Sequence, residues 1–257
     1  MTAAQKMMMV APAAGGAFNP ETDIAWHSLF WAEGTDFKAL GLADGASVAT
    51  WPNETGESDA TQATEAYKPF YNDADSVLNN LPSVEVKEPG SSTPSWMKTA
   101  AFSTAPSYTG GVSFVAIAYK VGTAPDRQGM SGGLDNNNTN TVFARYGTSV
   151  RIWAGGAARA GSTSMGNNVA HLVVAKFTGS TGNDTMALDG LSPTIDADSG
   201  PDQIDGLMLF AHPGNPTNEH LVGGIAFLGV FEGDITQDAS YGDFKTWVGS
   251  HYGLTIA

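Results

Sequence analysis

Short runs of β-branched and aromatic residues, separated by turns rich in glycine, asparagine and proline, dominate the sequence from residue 112 onward. Val112–Val121 (VSFVAIAYKV) is the longest of these runs. Runs of this length between turn signals are typical of strands in a sandwich or barrel, whereas a parallel nucleotide-binding sheet would need alternating helices. Six further runs follow: Thr141–Tyr146, Ser149–Trp153, His171–Phe177, Thr185–Leu188, Leu207–Ala211 and Gly224–Phe231.

The composition agrees with an all-β protein whose surface is polar but weakly charged. Glycine contributes 31 of 257 residues, well above the usual share of about 7%, and glycine supplies turns between short strands. The formal net charge is −14, which argues against nucleic acid or an anionic membrane as a partner. Cysteine is absent, which excludes disulfides, thiolate nucleophiles and cysteine-ligated zinc.

Two segments have helical patterns. Glu33–Leu42 is short and is interpreted as a helix or a turn. Near the end of the chain, Thr236 is the predicted N-cap and Gly253 the predicted left-handed C-cap of a helix. Its apolar face, which should pack on the sandwich, recurs at helical spacing and comprises Ala239, Tyr241, Phe244, Trp247 and Val248.

Several short motifs match catalytic or metal-binding patterns but lack the flanking elements or further ligands that such sites need. Gly129–Gly133 matches G-x-S-x-G, but loops flank it, so we predict a glycine-rich turn rather than a nucleophilic Ser131. Asp196–Gly200 begins like a calcium loop and lacks the later ligands, which leaves only an irregular site of Asp196, Asp198 and Asp202 as an alternative. The five histidines have no metal-binding spacing, and the sequence predicts neither a metal nor a cofactor.

Glycoside hydrolysis needs two carboxylates placed across a cleft. In β-sandwich glucanases they follow the pattern E-x-D-x-(x)-E on one strand. Glu21–Asp23 is the nearest match, and no second glutamate follows it. The sequence therefore predicts that the chain is not an enzyme and has no catalytic residues.

A family pattern is carried by four segments in a fixed order. Leu42–Asn53 resembles an opening D-G-x-x-V-x-x-W motif, and His171–Phe177 with Met186–Gly190 resembles a strand pair ending in a D-G turn. Gly223–Phe231 resembles a final strand, and Tyr241–Leu254 a closing helix. Together they resemble concanavalin A-like, laminin-G-like domains. The resemblance implies an all-β jelly-roll β-sandwich with a short C-terminal helix over residues 23–257, after an N-terminal arm of residues 1–22.

The segment Asp23–Ala32, together with the lack of cysteine and of a predicted signal peptide, resembles minor tail proteins of phages that infect actinobacteria. This resemblance implies a structural virion protein of the phage tail that is made in the host cytoplasm. Its partners would be other virion proteins, a second copy of itself in a homo-oligomer, and a host-surface glycan. A capsid decoration protein is the nearest variant.

The alternative from a different class is a carbohydrate-binding, lectin-like module. Trp51 and Trp247 occupy core positions of the resembled family, so we expect Trp96 and Trp153 to be the exposed, ligand-binding pair. For the virion interpretation, the N-terminal arm would provide the assembly contacts, because flexible methionines adapt to irregular apolar grooves. Those contacts are Met7, Met8, Met9, Val10 and Phe18.

Overall fold

The structure, a computed structural model, describes residues 17–86, 94–123, 125–134, 140–147, 149–154, 157–162, 165–179, 183–196 and 203–257. The helices are α1 (Pro20–Asp23), α2 (Thr35–Ala39) and α3 (Tyr241–Tyr252). The strands are β1 (Ser28–Trp31), β2 (Thr50–Trp51), β3 (Ala60–Thr61), β4 (Phe70–Asp75), β5 (Leu81–Glu85), β6 (Met97–Lys98), β7 (Val112–Lys120), β8 (Arg127–Gly132), β9 (Thr141–Tyr146), β10 (Ser149–Ala154), β11 (Ala157–Ser162), β12 (His171–Phe177), β13 (Asp184–Leu188), β14 (Thr194–Asp196), β15 (Met208–Leu209) and β16 (Gly223–Glu232).

Two antiparallel sheets pack face to face, each with eight strands in the described part of the chain. The first sheet runs β14-β13-β12-β7-β16-β5-β4, with β1 also paired to β16. The second runs β11-β10-β9-β8-β15-β6-β3-β2. The predicted fold class is therefore confirmed as an all-β sandwich of two antiparallel sheets that ends in one short helix.

The main core lies between the two sheets. Its members from the opening motif are Val48 and Trp51, both completely buried, and the indole of Trp51 stacks on Phe210 at a centroid distance of 5.9 Å. Alternate residues of β10, namely Val150, Ile152 and Ala154, point into the same core. This alternation places the intervening side chains of β10 on the outer face of the second sheet.

A second core covers the outer face of the first sheet. Helix α3 contributes Phe244 and Val248, which pack with Trp26 and Phe227 in one buried cluster. Every residue of β7 is buried as a result. A strand buried on both faces needs a nearly continuous apolar sequence, which explains why the VSFVAIAYK segment alternates so loosely.

The helical predictions are partly right. Gly253 ends α3 with a left-handed backbone, φ 69°, as expected for a C-cap glycine. Thr236 is not the N-cap, because residues 235–237 form a separate 3₁₀ turn that the Asp234 carboxylate caps, and α3 begins only after Ser240. The predicted glycine-rich turn at Gly129–Gly133 is also wrong, since its first four residues belong to β8.

Candidate functional site

A cluster of aromatic and arginine side chains lies on the outer face of the second sheet, where β8, β9 and β10 run side by side. A β-bulge adds one residue to β9 between Phe143 and Tyr146, and such an insertion reverses the facing of the residues beyond it. Tyr146 thereby joins Phe143 on the outer face. We call the Trp153 surface the set Arg127, Phe143, Tyr146, Arg151, Trp153 and His212.

The aromatic rings of the Trp153 surface form one cluster, with Trp153 in contact with the other three. The indole of Trp153 lies 5.8 Å from the Tyr146 ring, 6.5 Å from Phe143 and 6.1 Å from His212, centroid to centroid. Phe143 is completely buried beneath them, whereas Trp153, Tyr146 and His212 stay half-buried. Trp153 and Tyr146 both pack on Phe143 and both keep one side toward solvent. Rings arranged in this way form a platform for a flat apolar ligand surface.

Two guanidinium groups flank this platform. Arg127 Cζ lies 4.6 Å from the centroid of Tyr146 and 5.7 Å from that of Trp153, while Arg151 Cζ lies 5.7 Å from that of Tyr146. These distances are within the range of cation–π attraction. Arg127 also donates to Glu219 Oε1 at 3.1 Å. Both guanidinium groups thus lie over the Tyr146 ring, and Arg127 also contacts the Trp153 ring.

The loop 212–219 completes the surface from the side of β8. It lies against Gly129, where a Cβ would overlap the backbone nitrogen of His212 and the carbonyl carbon of Ala211. His212 Nδ1 and the hydroxyl of Thr141 are 3.1 Å apart. Burial lowers the pKa of His212, with Glu219 acting in the opposite direction, so its ring is a neutral hydrogen-bonding group near pH 7.

Trp96 does not join Trp153. It precedes β6, which lies four strand positions from β10 in the same sheet, and this separation corresponds to about 19 Å. Its ring stacks on Tyr67 at 6.1 Å, and its indole nitrogen is buried without a hydrogen-bond partner. The predicted pair is thus two separate aromatic positions, and only Trp153 has cations and further rings around it.

The residues predicted to form the assembly arm are divided by the structure. Met7, Met8, Met9 and Val10 lie outside the described residues. Phe18 is described, and its ring packs on Phe244 and Trp247 of α3 at 6.2 and 6.0 Å. Phe18 also borders a cleft of about 250 Å³ that is lined by Glu21 and Glu33. Both carboxylates already have hydrogen-bond partners: Glu21 accepts from Thr35, and Glu33 is paired with His251.

The remaining motifs show no assembled chemistry. Ser131 is buried within β8, away from a nucleophile's usual exposed turn. Of the aspartates considered for calcium, Asp198 and Asp202 lie outside the described residues, as does the side chain of Asp196. Over the described ranges, no group of three histidine, aspartate or glutamate side chains could hold a metal ion. No helix in the described residues has the length and apolar character that would let it cross a bilayer.

An acidic pair, a buried Asp75 and a half-buried Glu85, lies at the end of the first sheet. The Tyr119 hydroxyl donates to Glu85 Oε2 at 2.9 Å, and the Ser83 hydroxyl donates to Asp75 Oδ2 at 2.7 Å. Burial raises the pKa of Glu85, and the negative charge of Asp75 adds to the increase. Sequence spacing does not reveal this pair, because the two carboxylates come from adjacent strands rather than alternate positions of one strand.

The arginine distribution is a sequence signal that no short motif contains. The chain has four arginines, Arg127, Arg145, Arg151 and Arg159, within 33 residues of one another. They fall on the four consecutive strands β8, β9, β10 and β11. In a chain of net charge −14, this concentration of cations marks one region of one sheet as unlike the rest of the surface.

No protein-family model matches the chain, and no curated protein matches it in sequence. Solved structures do match in fold. A sialidase of Trypanosoma rangeli in complex with sialic acid has a TM-score of 0.52 at 9% identity, covering 87% of this chain and 32% of its own. This chain thus spans about a third of the length of that sialidase.

Two further similar structures are carbohydrate-active proteins. An arabinofuranosidase complexed with arabinofuranosyl-α-1,2-xylobiose has a TM-score of 0.56 at 11% identity, covering 82% of this chain and 52% of its own. Domain 4 of AbnA, a GH43 extracellular arabinanase from Geobacillus stearothermophilus, in complex with arabinotriose, has a TM-score of 0.53 at 11% identity. The match covers 82% of this chain and all of that domain. At these identities the likeness shows the fold alone.

These comparisons correct the prediction that the chain is not an enzyme. The similar structures are sialidases and an arabinofuranosidase, which are glycoside hydrolases. The prediction was wrong because it considered only one arrangement of carboxylates, on alternate residues of a single strand. The same sandwich occurs within hydrolase chains, so the absence of that one motif does not separate this chain from such enzymes.

Proposed function

We propose that this chain is a carbohydrate-binding β-sandwich that holds an oligosaccharide on the Trp153 surface. The observation that carries the proposal is the half-buried Trp153 ring, fixed by Phe143 and flanked by Arg127 and Arg151 on the outer face of the second sheet. The arabinanase domain that matches over its whole length was solved with arabinotriose, which supports a sugar ligand for this fold.

The chemistry of the surface suits a sugar. A pyranose or furanose ring presents a face of C–H groups, and an aromatic ring covers such a face while the rim of hydroxyls remains free. Arg127, Arg151 and His212 stand around the rings and offer directional hydrogen bonds to those hydroxyls. An apolar base with a few convergent polar groups is the common composition of small-ligand sites.

The virion interpretation has less support. The residues that were to provide its assembly contacts lie mainly outside the described part of the chain, and none of the similar structures cited above is a virion protein. The carbohydrate-binding alternative has both a defined surface and fold relatives that act on or bind sugars. It is therefore the function that we put forward for testing.

The test is a glycan-binding measurement on the full chain. Binding to a panel of oligosaccharides that includes arabinotriose is followed by intrinsic tryptophan fluorescence and by calorimetry. For a glycan that the wild-type chain binds, Trp153→Ala should weaken binding at least tenfold, because it removes the stacking ring and leaves Phe143 exposed. A tenfold loss corresponds to about 1.4 kcal/mol.

Trp96→Ala is the matched control. It removes the same side chain from the same sheet, about four strand spacings away, and should leave glycan affinity unchanged. Binding that survives Trp153→Ala but is lost in Trp96→Ala would place the site elsewhere. A chain that binds no glycan of the panel would contradict the proposed function.

A further inference from the structure

We propose that the ligand of the Trp153 surface carries a carboxylate, and that Arg151 and Arg127 bind it. This inference rests on the proposed function and specifies its ligand as an acidic oligosaccharide containing a uronic or sialic acid. A neutral sugar would accept hydrogen bonds from these guanidinium groups, but it would leave their positive charge without an anionic partner on the ligand.

Arg151 is a cation without a carboxylate partner among the described residues. Arg127 pairs with Glu219 at 3.1 Å and Arg145 with Asp126 at 3.0 Å, but no ion pair in the described part of the chain includes Arg151. Its Nε is buried and has no hydrogen-bond acceptor among the residues that the structure describes. In a chain with 26 acidic residues and 12 basic ones, a partly buried guanidinium left without an acid is poised for an external anion.

The strand next to Arg151 leaves it room. Gly161 of β11 lies directly opposite in the ladder, and a Cβ there would come within 2.9 Å of Arg151 Cγ. The cation–π contact with Tyr146 at 5.7 Å holds the guanidinium over the aromatic cluster. The Arg151 head is thus positioned by the residues on both sides of it, rather than extended into solvent.

Arginine rather than lysine at these positions suits a planar anion. A guanidinium offers parallel N–H donors that match the two oxygens of a carboxylate, and it stays protonated throughout the physiological pH range. All four arginines of the chain lie on β8–β11, whereas its eight lysines are scattered. A sugar ring on Trp153 would place a ring carboxylate within the reach of the flanking guanidinium groups.

The test compares acidic and neutral trisaccharides of matched size. Trigalacturonate is paired with galactotriose, and 3′-sialyllactose with 3′-galactosyllactose, so that uronic and sialic acids are distinguished. Short ligands are used because a long polyanion would be repelled by the net charge of −14. In calorimetry at about 0.15 M salt, at least one acidic ligand should bind tenfold or more tightly than its neutral partner.

Arg151→Gln should abolish this preference, so that the acidic ligand binds no more tightly than its neutral partner. Arg151→Lys should restore only part of the preference, because an ammonium lacks the parallel donors. Lys98→Gln removes one exposed cation from β6 of the same sheet, and this control should keep the preference intact.

The outcomes separate the two proposals. Equal affinity for acidic and neutral ligands, both lost in Trp153→Ala, would overturn the carboxylate proposal and leave the carbohydrate-binding function standing. An acidic preference that Arg151→Gln leaves intact would also overturn the assignment of that residue. Failure of every sugar to bind, with the wild-type chain folded, would overturn both.

Discussion

The protonation of single carboxylates in this protein is set by what surrounds each one. Burial raises the pKa of Glu85, a hydrogen bond from the Tyr119 hydroxyl opposes the increase, and the charge of Asp75 adds to it. Glu57 is the opposite case: burial acts to raise its pKa, but hydrogen bonds from the Ser103 hydroxyl and amide outweigh burial and lower it. The two residues should therefore respond to pH with opposite signs.

Glu85→Gln should stabilise the protein more at pH 7.5 than at pH 4.0, relative to wild type. A folded-state pKa above the unfolded value contributes stability that is present at low pH and is lost as pH rises through the folded value. The variant cannot ionise and escapes this loss. We expect the difference in melting temperature between variant and wild type to increase by on the order of 2 °C between the two pH values, measured by differential scanning fluorimetry.

Glu57→Gln is the control of opposite sign. A lowered folded-state pKa contributes stability above the unfolded value, and this stability is lost as pH falls. The variant should thus be less stable than wild type at pH 7.5 and close to it at pH 4.0. Parallel pH profiles for the two variants would contradict the assignment of both environments.

At the scale of elements, the Trp153 surface depends on the contact between the loop 212–219 and β8. The loop hydrogen-bonds along Gly129, whose amide donates to Glu219 at 3.2 Å, and a side chain at Gly129 would collide with the loop backbone. Because backbone atoms cannot move aside as a flexible side chain can, the loop as a whole would have to shift.

Gly129→Ala should displace the loop 212–219 and destabilise the protein by about 1–3 kcal/mol, the usual cost of overpacking. Hydrogen exchange measured by mass spectrometry should become faster in peptides covering residues 212–220 and stay unchanged in α3. Gly242→Ala is the control, because its Cβ would meet open space within a helix and should be neutral or stabilising. Unchanged exchange in the loop would show that Gly129 does not position it.

The elements were more predictable than the site they form. Seven of the ten described strands from β7 to β16 could be located from their apolar runs, and Gly253 from its position after the helical pattern. The exceptions are β8, β11 and β14, which have no such run. Tyr146 could not be placed on the outer face from alternation alone, because the bulge in β9 reverses its facing. His212 reaches Trp153 only through the fold of a loop some 60 residues later. Thr236 was misassigned because Asp234, two residues earlier, caps the turn.

For the molecule as a whole, two cores share one sheet. The first sheet contributes one face to the core between the sheets and the other face to the core beneath α3. Helix α3 is therefore part of the folded unit rather than an appendage. Loss of the buried face of α3 would expose to water the apolar residues of β7 and β16 that the helix covers.

Phe244→Ala should lower the free energy of unfolding by about 3–5 kcal/mol, the range for truncating a buried phenylalanine. Phe244 is completely buried and contacts Trp26 and Phe227. Thr246→Ala, at an exposed position on the same helix, should change stability by less than about 0.5 kcal/mol. Urea unfolding measures both, and similar midpoints for the two variants would show that α3 does not close the second core.

The second core also fixes where Phe18 and Ile256 lie relative to the Trp153 surface. Phe18, near the start of the described chain, and Ile256, near its end, both pack into that core on the α3 side. The Trp153 surface lies on the opposite side of the sandwich. A partner or surface attached beside Phe18 or Ile256 would therefore lie on the side of the sandwich that faces away from Trp153.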